Sequence, residues 1–458
     1  MDRQRPFNFL PKELLINIVS RLPFKDAVRT SVLAKNWINI WRNSTNMELN
    51  QSFFRNPKSH WHPGSIDSAR FKLFSNKFMT YFLGSELNSF TLKVSAIDRS
   101  LKPMLKRALL FAIKHRVKHL TLDLPQPLWN QQHPLNFETL EILDLPNEFY
   151  DYLTKVESLK LSSVISISLF GCSRFTALRS VSLQLLRFWK AELRHLVAEA
   201  PLLEDLRLRK CVCYKLKLAS NSLRNFAVEE CDIVKDTVSI TSPNLESFVF
   251  SGRACKLDLE SAAKNLKSAS IQFDFERLKQ DFDENLVCYH LKNFWCVKDL
   301  TICSYILQLL QSGMGDFNHH HQPLELKHLT IKADSFNRSV FQGCIFFVKS
   351  CPDMETLTIN ISRASESLSG RRAPLNLQPY SLETFEDDHI TCLVRSLKVV
   401  KLIGFDGSCL QVKFLSYILK KGKLLENIIL KSSTDERNIK KLQCSEKASP
   451  NVQICIQI

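Results

Sequence analysis

The sequence lacks several features that would point to a nucleotide enzyme or a membrane protein. Only 11 of its 458 residues are glycine. Rossmann and P-loop enzymes need clustered glycines to approach phosphates, so this scarcity argues against both classes. No run of about 18 apolar residues occurs, which argues against a transmembrane helix and a membrane partner. Residues 1–10 carry Asp and Arg instead of an apolar stretch, so we expect no secretory signal.

Paired cysteine motifs and catalytic motifs are also missing. The 14 cysteines are scattered and form no Cys-x-x-Cys pair, which favours reduced thiols and a location in the cytoplasm and/or nucleus. His115 and His119 lack the Glu of a zinc-protease motif, and His319–His321 lie in a Gly/Asn/His-rich segment without a second ligand cluster. No nucleophile elbow or phosphate loop is present. We therefore expect no metal, no cofactor and no catalytic residue.

The first fifty residues carry more apolar side chains than they can bury alone. Leu14, Leu15, Ile18, Val19 and Leu22 recur at helical spacing and predict a helix that begins near Pro11 and ends before Pro23. Two further short helices are predicted, over 26–32 and over 34–42. Three helices in about 45 residues leave a surplus apolar surface, which is typical of a docking face.

The segment Leu10–Trp41 resembles an F-box. The likeness includes Leu10-Pro11, the Leu14/Leu15 pair, Leu22-Pro23 and Lys35-x-Trp37, and it implies a Skp-type adaptor and, through it, a cullin ligase as partners. The residues that we predict to dock on the adaptor or to fold this unit are Leu10, Pro11, Leu14, Leu15, Ile18, Leu22, Pro23, Val32, Leu33, Trp37 and Trp41.

The pattern apolar-x-x-apolar-x-apolar recurs from Leu87 to Leu430 at intervals that resemble leucine-rich repeats. Each copy predicts a short strand with two inward apolar side chains, and only stacking of neighbouring copies buries them. Cys211 and Cys231 follow the last apolar residue of their strands by three positions, where leucine-rich repeats often place Cys or Asn inside the turn, so we predict both to be structural thiols. The likeness implies a ribonuclease-inhibitor-like horseshoe.

The C-terminal residues resemble the FBD module that follows such repeats in plant proteins. Residues 412–421 predict a helix with Phe414, Leu415, Ile418 and Leu419 on one face. The predicted fold class is therefore α/β, with a three-helix F-box, a repeat solenoid and an FBD-like cap, as in the plant F-box/leucine-rich-repeat/FBD family. The predicted divisions are F-box 5–48, linker and helix 49–84, repeats 85–375, and FBD-like module 376–458.

The outward strand positions combine Lys and Arg with a similar number of acids, although the whole chain has a formal charge of +16. A nucleic-acid groove concentrates positive charge, so we do not expect nucleic acid as a partner. The mixed surface suits protein recognition, with Ile142, Val249, Val399 and Ile403 as candidate anchors. We expect a non-catalytic substrate receptor of a Skp–cullin–F-box ubiquitin ligase. An adaptor-bound, non-degradative scaffold and a small-ligand-dependent receptor remain open.

Overall fold

The fold is known from a computed structural model. It describes residues 10–54, 65–95, 101–124, 153–163, 175–188, 191–259, 264–273, 293–294, 296–307, 324–362, 390–432 and 442–457. The chain divides into two compact units, residues 1–214 with 218–223 and residues 215–217 with 224–458. No helix in the described part of the chain combines the length and the apolar character needed to cross a membrane.

The F-box segment has two α-helices followed by single turns. They are α1 (Lys12–Ser20) and α2 (Phe24–Arg29), and each follows a proline at its N-cap, Pro11 or Pro23. The third predicted helix is wrong: the segment forms the 3₁₀ turns Lys35–Trp37 and Ile40–Asn43. Its asparagines, Ile and Trp residues are weak helix formers, so one continuous helix is not favoured there.

The first unit continues with two longer helices and a parallel ladder of short strands. The helices are α3 (Ser65–Tyr81) and α4 (Lys102–Lys114), with a shorter α5 (Glu192–Ala198) further along. Strands β1, β2, β3, β4, β5 and β7 pair in that order, all parallel, and β6 pairs with β8. Their bounds are β1 Asn46–Asn50, β2 Ser89–Lys93, β3 His119–Asp123, β4 Ser158–Ser162, β5 Ser180–Gln184, β6 Arg187–Phe188, β7 Asp205–Arg209 and β8 Val212–Cys213.

A short strand, β9 (Leu216–Ala219), precedes the ladder of the second unit. There β10, β12, β14, β15, β16, β17, β18, β19 and β20 pair successively in parallel, and β11 pairs with β13. The helices are α6 (Arg338–Ser350), α7 (Thr391–Arg395) and α8 (Cys409–Lys421). The strands are β10 Asn225–Ile233, β11 Thr237–Thr241, β12 Ser247–Gly252, β13 Lys256–Asp258, β14 Ser268–Phe273, β15 Asp299–Cys303, β16 His328–Ala333, β17 Thr356–Ile361, β18 Val399–Phe405, β19 Asn427–Ser432 and β20 Gln453–Gln457.

The predicted repeat pattern is confirmed wherever the structure describes it. In β4, for example, Leu159 and Leu161 are buried while Lys160 between them is exposed. Successive side chains of a strand point to opposite faces, so each apolar pair packs between its neighbours. The copy around Leu143 and the histidine cluster His319–His321 lie outside the described residues.

A left-handed residue follows the strand in several repeats and turns the next side chain inward. Leu185 and Lys210 have positive φ angles of 56° and 50°. Cys211 comes next and is buried, and its Sγ donates to the carbonyl oxygens of Leu183 and Arg209 at 3.4 Å. Cys231 follows the left-handed Glu230 in the same way and is also buried. Both predicted structural thiols therefore lie in the core.

The ladder begins earlier than predicted. Strand β1 directly follows the F-box, ahead of residue 85, the predicted start of the repeats. Helix α3 occupies residues 65–81 of the segment predicted as linker and helix, 49–84. The C-terminal prediction is confirmed: α8 ends at Lys421 and buries Phe414, Leu415, Ile418 and Leu419.

Candidate adaptor-binding site

The F-box has a small apolar core formed by the inner side of α1. Leu15 and Val19 are one helical turn apart, and they pack with Ala27, Trp37 and Ile40. Side chains at i and i+4 share a helix face, so the same spacing places a second set of α1 residues on the other side. The core therefore uses only some of the apolar side chains of the segment.

Several other apolar side chains of the F-box are exposed. Leu14 and Ile18 on α1, and Leu22 just past its end, have exposed fractions of 48%, 39% and 37%. Val32 and Leu33, at the turn after α2, are 85% and 54% exposed. Clusters of exposed apolar side chains on a small folded unit mark a surface that binds another protein.

The predicted site residues separate into these two environments. Pro11 and Pro23 are exposed at the helix N-caps, and Leu10 and Trp41 are partly buried against the core. Leu15 and Trp37 are only 2% and 5% exposed. These two residues therefore take the second of the two roles predicted for the set, folding the unit, because side chains inside the F-box core have almost no surface to offer a partner.

One exposed apolar residue is missing from the predicted site. Ile38 lies between the two 3₁₀ turns and is 47% exposed. The sequence prediction placed Ile38 on a third helix with Trp37 and Trp41. A helical pattern alone does not show whether Ile38 faces the core or the solvent. Because the segment forms separate turns, Trp37 points into the core and Ile38 points outward.

Aromatic side chains attach the F-box to the first repeat. The Phe24 ring of α2 meets the Phe78 ring of α3 edge-on, with centroids 4.6 Å apart. The Trp41 ring also packs on Phe78, at 5.2 Å. Phe82 continues the contacts to Phe111 of α4 at 5.4 Å. Such aromatic pairs each add about 0.5–1.5 kcal/mol beyond their buried area.

Hydrogen bonds make a second connection, between α1 and β1. The Oγ of Ser20 accepts from the backbone N–H of Thr45 at 3.0 Å, and Asn46 donates from its side chain to the Ser20 carbonyl at 2.7 Å. The backbone N–H of Leu83, after α3, donates to the Arg42 carbonyl at 2.9 Å. The end of α1 is thus fixed to the first strand of the ladder, and the orientation of the outer α1 face is set by the repeat.

Charged groups near this connection face solvent or aromatic rings. The Arg42 guanidinium lies 5.6 Å from the Trp41 ring centroid and 5.3 Å from that of Tyr81. Burial lowers the pKa of His115, whose ring packs on Phe82 and Phe111 at 4.9 and 4.4 Å. The Arg42 guanidinium and the His115 ring thus pack on the aromatic cluster that joins the F-box to α3 and α4.

The described residues contain no cluster suited to a metal ion, and several of their cysteines are buried. No group of three or more His, Cys, Asp or Glu side chains in the described ranges could hold a metal ion. Burial raises the pKa values of the Cys344 and Cys351 thiols far above the ordinary range, and that of Cys392 to about 12. A buried neutral thiol is a poor nucleophile.

Two family models match the chain. The F-box domain matches residues 7–48, and the model described as "At1g61320/AtMIF1, LRR domain" matches residues 78–457. The chain belongs to the F-box/leucine-rich-repeat family. F-box domains generally bind Skp-type adaptors, and members of this family are typically non-catalytic subunits.

Several curated F-box/leucine-rich-repeat proteins of Arabidopsis thaliana are similar over nearly their whole length. F-box protein At3g62230 is 26% identical over 91% of this chain and 89% of its own. F-box/LRR-repeat protein 13 is 25% identical over 92% and 88% of the two chains. F-box/FBD/LRR-repeat protein At3g14710 is 23% identical over 98% and 94%. The family resemblance read from the sequence, including its FBD relatives, is therefore confirmed.

Proposed function

We propose that this chain is the substrate-recognition subunit of a Skp–cullin–F-box ubiquitin ligase. The F-box would bind the Skp-type adaptor, and the repeat array would bind a target protein for ubiquitination. The observation that carries the proposal is the exposure of Leu14 and Ile18 on α1 and of Leu22 just after it, beside a core to which none of the three contributes. Packing inside the F-box does not account for that surface, whereas a protein partner does.

The mechanism that we propose is proximity. A receptor that holds its target near a charged ubiquitin-conjugating enzyme raises the effective concentration of the target lysine and performs no bond chemistry itself. The contacts of Phe24 and Trp41 with Phe78 and the Ser20–Asn46 hydrogen bond would transmit the adaptor's position to the first repeats. A fixed connection limits the volume that the target explores, which increases the effective concentration.

The deciding experiment is co-purification of the intact chain with a Skp-type adaptor, followed by reconstituted ubiquitination. We expect a stoichiometric complex, and ubiquitin transfer to a captured target only when the adaptor, cullin and receptor are all present. Lack of adaptor binding by a folded chain would refute the proposal. Adaptor binding without transfer to any captured target would instead identify the chain as a non-degradative scaffold.

A small-ligand receptor has less support among the described residues. An open depression of about 480 Å³ in the second unit is lined by Lys298, Arg395, Lys398 and other charged or hydroxyl side chains. Hormone-like ligands favour concave sites lined mainly by apolar and aromatic side chains. The cytoplasmic and/or nuclear location stays a prediction, which imaging of a tagged full-length chain would test.

A further inference from the structure

The outward side chains of the second unit's ladder are unevenly charged. Those of β16–β20 include Lys332, Lys401 and Lys431 and no acid. The strands before them carry acids at this face, such as Glu229 in β10 and Asp299 in β15. The balance of charge read over all repeats therefore conceals a local basic surface.

The three lysines have no ion-pair partner among the residues that the structure describes. The other basic residue of this face, His328, has its Nε2 4.0 Å from a carboxylate oxygen of Asp299, one strand away. In the first unit, by contrast, Lys93 of β2 has its Nζ 3.4 Å from the Glu48 carboxylate of β1. Within the described ranges, the positive charge of β16–β19 is thus not neutralised by an acid.

Half-buried aliphatic side chains alternate with these lysines. The strand register places Lys401 beside Ile429 and Ile403 beside Lys431, and Val399 lies two positions before Lys401 on β18. Neighbouring strands lie about 4.8 Å apart, so each lysine stem borders an aliphatic side chain. The outward side chains of β16 and β17 that complete this face are mainly small hydroxyls, including Thr330 and Thr358, and they leave a shallow floor.

We propose that this surface, the outward face of β16–β19, binds an acidic segment of the target protein that also carries aliphatic anchors. The inference rests on the proposed function, because it names the class of target that the array would select. Lysines without partners attract carboxylates, and the aliphatic residues gain from burial when the segment covers them. A nucleic acid fits less well, because three separated lysines without an outward aromatic ring offer neither dense phosphate contacts nor base stacking.

The register also sets a spacing for the segment. Lys332, Asn360, Ile403 and Lys431 follow one another across β16–β19 in one row. Three strand spacings separate the two lysines, about 14 Å, which an extended peptide covers in about four residues. We therefore expect acidic residues about four positions apart, with an aliphatic residue between them that contacts Ile403.

The test is selection of a random twelve-residue peptide library on the adaptor-bound full chain. The variant Lys332→Glu/Lys401→Glu/Lys431→Glu serves for counter-selection, so that peptides binding elsewhere on the chain are removed. We expect the wild type to enrich peptides with Asp or Glu and an aliphatic residue at this spacing. Their affinity should fall at least tenfold for the variant, and it should weaken as salt rises from 0.05 to 0.5 M because exposed charges are screened.

A matched control variant distinguishes the effect of charge at this surface from the effect of the net charge of the chain. The variant Lys264→Glu/Lys413→Glu/Lys423→Glu makes the same charge change at exposed lysines away from the outward strand face, and it should bind the peptides like the wild type. Ile403→Ser should weaken binding, whereas Val249→Ser, at a half-buried outward position of β12, should not.

Three results would overturn the inference: neutral or basic consensus peptides, equal binding by both triple variants, or no wild-type-specific peptide. Binding of a fluorescent single-stranded 20-nucleotide RNA, lost in the first triple variant, would point to nucleic acid instead. Adaptor binding is measured in the same samples. If adaptor binding fails, the proposed function fails; if it persists while acidic peptides do not bind, only this inference fails.

Discussion

The Phe24 and Phe78 rings lie at 88° to each other with centroids 4.6 Å apart, and they join the F-box to the helix that precedes the second strand of the ladder. Both side chains are almost fully buried. Phe24 stands just after the proline that ends the first F-box segment, so its burial depends on a residue more than fifty positions later. The F-box core and the first repeat are therefore one packed region.

Truncating Phe78 should destabilise this region and loosen the F-box. We expect Phe78→Ala to lower the free energy of unfolding by about 3–5 kcal/mol, because a buried ring is replaced by a cavity. Chemical denaturation with tryptophan fluorescence measures it, since Trp41 contacts Phe78. Leu73→Ala, at an exposed position of the same helix, is the control and should change stability by less than about 0.5 kcal/mol. Equal effects would contradict the packing.

Charge on the outer side of α1 should abolish adaptor binding without unfolding the chain. Leu14→Asp combined with Val32→Asp places two carboxylates on the exposed apolar residues, and we expect at least a tenfold loss of affinity, or about 1.4 kcal/mol. Pull-down with a purified Skp-type adaptor measures it. Leu202→Asp, at an exposed apolar position of the repeats, should bind normally.

The neighbouring residue Leu15 should behave differently. Leu15→Asp buries a charge in the F-box core, which is costly without a partner, so we expect a loss of folding as well as binding. Circular dichroism and thermal unfolding distinguish the two outcomes. A stable Leu15→Asp protein that still binds the adaptor would show that the core assignment is incorrect.

Acidification should weaken the aromatic connection through His115. Burial lowers its pKa below the ordinary value near 6.5, so the folded chain binds this proton less readily than the unfolded chain. Above the pKa of the unfolded chain, His115 is neutral in both states and does not change the free energy of unfolding. As the pH falls through about 6.5, the unfolded chain takes up this proton first, so the folded chain loses stability. We expect the wild type to lose more stability than His115→Phe between pH 7.5 and 5.5. Equal losses in the two proteins would contradict the burial of His115 against Phe82 and Phe111.

Thiol labelling should follow burial. Cys409 and Cys444 are exposed and should react with N-ethylmaleimide within minutes in the native protein, as mass spectrometry of peptides would show. Cys255, Cys344 and Cys351 are buried, and burial raises their thiol pKa values far above neutrality, so they should react only after denaturation. Rapid native labelling of Cys344 would contradict the packing of α6.

Glycine is required at one position in the C-terminal strands. Gly404 has φ of +81° beside a bulge in the β18–β19 pairing, and an added Cβ would collide with the Ile361 carbonyl oxygen. We expect Gly404→Ala to cost about 1–3 kcal/mol of stability. Gly407→Ala, at a residue with φ of +72°, imposes a similar backbone strain, so thermal unfolding of both variants isolates the effect of the collision at Gly404.

The repeats could be predicted because each strand has two apolar residues separated by one position, and a further apolar residue stands three positions before the first of them. Val156, Leu159 and Leu161 are an example. Strand β1 escaped prediction because Ser44 stands where the other copies have the first apolar residue, although it is buried like them. Met47 and Leu49 occupy the other two apolar positions of this copy. One polar substitution was enough to conceal the repeat.

The division of the F-box into core and docking residues could not be predicted. Leu14 and Leu15 are adjacent and chemically identical, and both sides of α1 are apolar, so periodicity does not say which side is covered. The covered side is set by the positions of Trp37 and Ile40. These two residues lie in 3₁₀ turns, whereas the sequence predicted a helix there. The basic face of β16–β19 was missed for a similar reason, because only the register brings Lys332 and Lys431 into one row.

The shared aromatic packing of Phe24, Trp41 and Phe78 means that the F-box is not a portable module in this chain. A fragment that ends at residue 48 would leave Phe24 and Trp41 without the ring they pack against, and it would cut strand β1 and remove its partner strand β2. The smallest autonomous fragment should extend through α4 and β3, to about residue 124. An F-box from a relative grafted here would need compatible partners on α3, so the two segments should change together over evolutionary time.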